Sequence, residues 1–208
     1  MTIAPTQAGA RKPVLSLALV LAIVLGWCWS AHVLQLPFFA SQKSLLLMGV
    51  GAVDGAALQR GEWWRLLASQ FLHVHSLHMM FNLAASALLA SAIERRCGPA
   101  PLALAFIGGG TLGQLASVLL RPDLVSSGAS QAMLALCAFV LVAYRRCALA
   151  RHALVAALLV TAIQGGLDVA VSGSIKPGHG FGFAAGALIA MAWMRHASSR
   201  ARLNLTKG

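Results

Sequence analysis

Residues 126–144 read SSGASQAMLALCAFVLVAY, a small polar turn that runs straight into an apolar helix. The apolar run is short for a membrane crossing, which takes about 20 residues. A span this short starts below the membrane surface, so the turn before it must dip into a cavity. Irregular backbone is tolerated at that depth only where protein or water satisfies it. The Ser130 hydroxyl that opens the run has three readings: helix N-cap, packing filler or nucleophile.

The remaining composition makes this a membrane helix. Of 208 residues 59% are apolar and 10% charged, with a mean hydropathy of +0.78. A soluble domain carries about 25% charged residues, so too few polar groups are present to cover a water-facing surface. The length suggests one domain. A net charge of +11 would suggest nucleic acid in a soluble protein, but here the basic residues gather at the ends of apolar segments. Cys28, Cys97, Cys137 and Cys147 show no CxxC or other zinc spacing, and are expected to be free thiols.

Six apolar segments are candidate spans: 13–34, 74–94, 99–120, 129–144, 152–172 and 179–194. The first follows Arg11-Lys12, but its apolar run is longer than a signal-peptide core and it is read as retained. With the N-terminus inside, the cytoplasmic segments hold Arg11, Lys12, Arg95, Arg96, Arg145, Arg146, Arg151, Arg195, Arg200, Arg202 and Lys207. The other side holds Lys43, Arg60, Arg65, Arg121 and Lys176. Eleven against five is a positive-inside bias that sets both termini in the cytoplasm. The expected organisation is an N-terminal tail over 1–12, an all-α six-helix membrane domain over 13–195 and a basic tail over 196–208. Residues 35–73, between the first two spans, hold apolar runs too short to cross; short interfacial helices and turns are expected there, with Trp63 and Trp64 suited to an interfacial belt.

Polar groups inside spans are costly and mark function. Here they are HVHSLHMMFN (73–82), Ser130, Asp168 and GHGFGFAAG (178–186). Ser130 lies 15 residues before Arg145, His179 lies 16 before Arg195, and His78 lies 17 before Arg95. At about 1.5 Å per residue all three sit roughly 22–26 Å above the cytoplasmic boundary. His75, His78, Asn82 and Ser86 fall on one helix stripe. His179, Gly182, Gly186 and Ala190 fall on another, and its small residues permit close approach to a neighbouring helix. If that neighbour is the fourth span, His179 reaches Ser130.

At these residues the chain resembles the rhomboid family of intramembrane serine proteases over roughly 60–190. Glu62-Trp63-Trp64-Arg65 is similar to the family's E-x-W-R. His73, His78 and Asn82 match H-x4-H-x3-N, and Glu94 to Gly98 match E-x3-G. Gly128-Ala129-Ser130 match G-x-S, and His179, Gly182 and Gly186 match H-x2-G-x3-G. Gln131 departs from the pattern, where a small residue usually follows the nucleophile. The compact form also resembles the rhombosortase subgroup, thought to process proteins with C-terminal Gly-Gly membrane anchors.

The resemblance implies a Ser-His dyad without cofactor or metal. Ser130 would attack the scissile carbonyl, with His179 as base and then acid. The Ser130 N–H, His78 and Asn82 would be oxyanion donors, with His73, Gly128, Gly182 and Gly186 as site support. The substrates implied are single-pass or C-terminally anchored membrane proteins, cut in a bacterial inner membrane by a site open to the outer face. Two other classes compete: a metal or ion pathway through His73, His75, His78 and Asp168, and an inactive client-binding relative. Asp168 reaches the same level, about 26 Å up. Two readings are open for it: a third triad member that holds the imidazole in its tautomer, and a structural acid that bonds loop backbone or water. The structural one is expected, since equal depth alone does not turn it toward the site.

Overall fold

The computed structural model describes the backbone of residues 11–205 and the side chains of residues 11–199. Most of the tail expected over 1–12, and residues 206–208 of the other tail, lie outside the described residues. Among the described residues the chain is all-α, with six long helices. These are α1 (Val14–Val33), α2 (Ser76–Cys97), α3 (Pro99–Leu120), α4 (Ser130–Ala143), α5 (Arg151–Ser172) and α6 (Pro177–Leu205). By length and composition α1, α2, α3 and α5 are able to cross a membrane, whereas α4 is a shorter apolar helix. Its 14 residues rise only about 21 Å.

The helix bounds fall within a few residues of the expected spans, with one correction. The last span, expected to end at 194 before a tail from 196, continues as helix to Leu205. The segment after Arg195 contains neither Gly nor Pro before that point and is rich in Ala, Arg and Leu. These favour helix in water as well as in lipid, so the helix outruns its apolar stretch.

Helix α4 is the centre of the bundle. Every residue from Ser130 to Val140 is buried, which is why this helix has no polar face. Helices α3, α5 and α6 all pack on it. The approach of α6 is a backbone contact: a Cβ at Gly182 would fall 2.5 Å from Gln131 O, and one at Gly186 only 2.1 Å from Ala135 O. The small-residue stripe read from the sequence thus seats α6 directly on α4 and fixes His179 against the start of α4. Trp27, Phe106, Phe139, Leu89 and Leu136 fill the fully buried core around these contacts.

Two acidic residues act as structural ties. Glu94, buried near the end of α2, accepts from Leu15 N at 3.0 Å, from Ser16 N at 2.7 Å and from Ser16 Oγ at 2.6 Å. It thereby satisfies the first orphan amides of α1 and places a negative charge at that helix's positive end. The expected interfacial segment between α1 and α2 folds as short helices at Ser44–Met48, Gly55–Gln59 and Arg65–Ala68, with a 3-10 turn at Ser69–Phe71. Glu62 pairs with Arg60 and Arg65 there, and those guanidiniums hold its carboxyl below the usual carboxylate range. The Arg65 Nη1 also donates to Met48 O at 2.7 Å and Ala52 O at 2.9 Å, closing the segment on itself. Trp63 and Trp64 stay exposed. The four cysteines are free thiols.

Candidate active site

Ser130 is the first residue of α4 and His179 lies in the first turn of α6. The Ser130 Oγ stands 2.7 Å from His179 Nε2, with both residues buried. The level and neighbour argued from sequence therefore bring these two together. The N-cap position of α4 is Ala129, and the Ser130 hydroxyl bonds side chains rather than helix amides, so the N-cap reading is not what holds it.

Asp168 does more than the structural role expected of it. It does bond loop backbone, accepting from Lys176 N at 3.2 Å. The same Oδ2 also lies 2.6 Å from His179 Nδ1, and Gln164 Nε2 donates to Oδ1 at 3.3 Å. Asp168 therefore faces the site. Because a carboxylate only accepts, His179 Nδ1 carries the proton and Nε2 is left to accept from the serine.

The loop before Ser130 is held from four sides. Val53 and Ser126 form an antiparallel bridge. Gly128 N donates to Ser69 O at 2.9 Å, and Gln114 Nε2 donates to Gly128 O at 3.2 Å. Ala129 N donates to His73 Nε2 at 3.2 Å. Gly128 has a φ of +115°, a conformation that favours glycine over residues with a Cβ. His73 is fully buried. Burial, with the charge of neighbouring His78, pushes its imidazole down to about 3. It stays neutral, as an Nε2 acceptor must. Its role is to position the backbone beside the serine.

His78 lies on the cavity wall, and a Cβ at Gly128 would fall 3.9 Å from its Nε2. Asn82 lies one turn below, fully buried and off the wall, with its Nδ2 donating to His78 O at 3.0 Å. One amide hydrogen is thus spent on the helix, and the direct oxyanion role expected for Asn82 rests on its second hydrogen. Burial rises along the stripe, from exposed His75 through His78 to buried Asn82 and Ser86. Gly182 and Gly186 serve packing and lie off the wall.

A cavity of about 780 Å³ opens over the serine. Its lining includes Ser126 and Ser127 from the turn expected to dip inward, and Ser174 and Lys176 from the loop before α6. Two of the three histidines of the metal reading bond elsewhere, His73 Nε2 to Ala129 N and His75 Nδ1 to Ser41 Oγ at 2.9 Å. Among the described residues no three metal-ligating side chains converge.

Sequence reasoning missed Gln114 and Gln164, although the rule that flags polar groups inside spans applies to both. It also left Gln131 open. The Gln131 Oε1 lies 3.2 Å from Ser130 Oγ, and its Nε2 donates to Gln114 Oε1 at 3.4 Å and Ser126 Oγ at 3.5 Å.

Comparison with known proteins agrees with this architecture. The chain is 34% identical over 93 residues to Rhomboid protease GluP of Bacillus subtilis (strain 168), covering 45% of this chain and 18% of that protein. It is 34% identical over 102 residues to the putative rhomboid protease YdcA of the same organism, covering 48% and 51%. Rhomboid-like protease 3 of Toxoplasma gondii is 29% identical over 100 residues, covering 48% and 37%. The chain thus spans about half the length of these relatives, or less. A family model described as the Rhomboid domain matches residues 60–196. That stretch takes in every residue of the site, from His73 to His179, and this multi-pass membrane protein belongs to the rhomboid family.

Proposed function

We propose that this chain is an intramembrane serine protease. It hydrolyses peptide bonds in or beside the membrane segments of single-pass or C-terminally anchored proteins. The observation that carries the reading is the 2.7 Å contact between Ser130 Oγ and His179 Nε2 beneath an open cavity. As the Oγ–carbonyl bond forms, the hydroxyl proton passes to Nε2. The same proton then goes to the leaving amine as the C–N bond breaks. Water from the cavity, deprotonated by His179, cleaves the acyl-enzyme. The Ser130 N–H at the start of α4 and the His78 side chain are the nearest oxyanion donors, with Asn82 behind them. His73 and Gly128 shape the backbone that presents the serine.

The protease domain is assigned to residues 13–195 as six spans of a bacterial inner membrane. Both termini are cytoplasmic and the cavity opens to the outer face, in keeping with the positive-inside count. The binding-only reading is disfavoured by an intact serine–histidine pair. Purified Ser130→Ala and His179→Ala proteins are each expected to lose cleavage of a transmembrane reporter while keeping the wild-type melting temperature within a few degrees. Substantial cleavage by either folded variant contradicts the proposal.

A further inference from the structure

We infer that Asp168 is a positioning residue that orients His179 and makes the pair a Ser-His-Asp triad. The inference rests on the serine protease reading above and deepens it.

The side chains of His179 and Asp168 are 6% and 1% exposed, and their Nδ1···Oδ2 contact is 2.6 Å. An unpaired carboxylate inside a span is strongly disfavoured, so its neighbours must stabilise the charge. Here three donors do so: His179 Nδ1–H and Lys176 N–H on Oδ2, and the Gln164 amide on Oδ1. Gln164 is one turn before Asp168 on the same face of α5 and holds the carboxylate from the side away from the histidine. The order Gln164, Asp168, His179, Ser130 is therefore a continuous chain of hydrogen bonds across α5, α6 and α4.

This chain fixes the imidazole twice. It sets the tautomer, leaving Nε2 unprotonated and 2.7 Å from the nucleophile, and it sets the ring plane. During acylation the serine proton moves to Nε2 and forms an imidazolium, while Asp168 stays ionised and stabilises that cation. The proton leaves again with the amine, so charge and protons balance without any transfer to Asp168. The contact to Lys176 N is also explained: the loop that delivers His179 is tied to the group that orients it. His75, His78, Arg121 and Lys176 are the other ionisable residues that line the cavity.

The test compares Asp168→Asn with wild type in detergent or bilayer. The amide keeps the shape and an acceptor for Lys176 N, but removes the charge and disturbs the tautomer. The expected result is a fall in kcat of roughly 10³–10⁴, as for loss of a triad aspartate elsewhere. KM should stay within about threefold and the melting temperature should be unchanged. Retention of kcat within about tenfold overturns the inference, as does a melting shift large enough to account for the lost rate. A second readout is independent of turnover. In the Ser130→Ala protein, with histidine 15N-labelled, a strongly deshielded His179 Nδ1–H proton is expected; it should vanish in Ser130→Ala/Asp168→Asn. Absence of that resonance from Ser130→Ala also overturns the inference, even if Asp168→Asn fails to fold. Failure of wild type to cleave any reporter, with the resonance present, would count against the protease reading and leave the His179–Asp168 pairing intact.

Discussion

Ser130 and His179 are 49 residues apart in sequence and 2.7 Å apart in space, and their residue types already carry the chemistry. Both were legible because distance from a basic boundary measures depth along a helix. Asp168 was legible in depth but not in direction, since rise per residue says nothing about helix rotation about its axis. Gln164, four residues earlier, marks the same face and supplies the missing direction. The proposed oxyanion donors separate in the same way. His78 lines the cavity, while Asn82 spends one amide hydrogen on His78 O. His78→Ala is therefore expected to lower kcat by about 10²–10³, the cost of one oxyanion donor. Asn82→Ala should lower it less, since one of its two donors serves the helix. Steady-state kinetics on the two folded variants checks the order; equal, wild-type rates would make the stripe a packing feature. Gln131 adds a second acceptor for the Ser130 hydroxyl, which no local sequence pattern announces, because only the fold brings Gln114 and Ser126 to its amide.

Among the elements, α4 and α6 matter most, because their contact sets the distance between Ser130 and His179. The stripe His179, Gly182, Gly186, Ala190 was readable from period alone, since glycines four apart on a membrane helix permit close approach. Period alone does not say what the stripe packs against; the backbone approach to Ala135 O does. Gly186→Val is expected to push α6 off α4. A Cβ 2.1 Å from a backbone oxygen cannot be relieved by a rotamer change. Overpacking commonly costs about 1–3 kcal/mol, and the displaced helix carries His179 with it. Both a lower melting temperature and loss of cleavage should follow, whereas Leu188→Ala, on the exposed face of the same helix, should alter neither appreciably. Thermal unfolding followed by intrinsic fluorescence, alongside cleavage assays, checks this; a Gly186→Val protein with wild-type stability and rate contradicts the packing account. The end of α6 shows the complementary limit: hydropathy marks where a helix leaves lipid, and helix propensity decides where the helix stops.

For the whole molecule, the low polar content and the apolar segments made a membrane bundle readable at once, and the short fourth span pointed to the loop before it as part of a cavity. The cavity itself was not readable. It is bounded by α3, α5 and the interfacial segment as well as by the two loops, and its shape depends on how all of them pack. That packing gives every carboxylate but Asp123 a visible role. Asp54 caps a short helix by accepting from Ala57 N, Glu62 closes the interfacial segment, Glu94 anchors α1, and Asp168 faces the histidine. A protein with so few charges keeps them where structure or chemistry uses them. The central claim is that one serine among many is activated, and labelling tests it most directly. Folded wild-type protein treated with a fluorophosphonate is predicted to gain a single adduct by intact mass, mapped to Ser130 and absent from both Ser130→Ala and His179→Ala. Folded wild type that gains no adduct, or an adduct that persists in Ser130→Ala, would contradict the account.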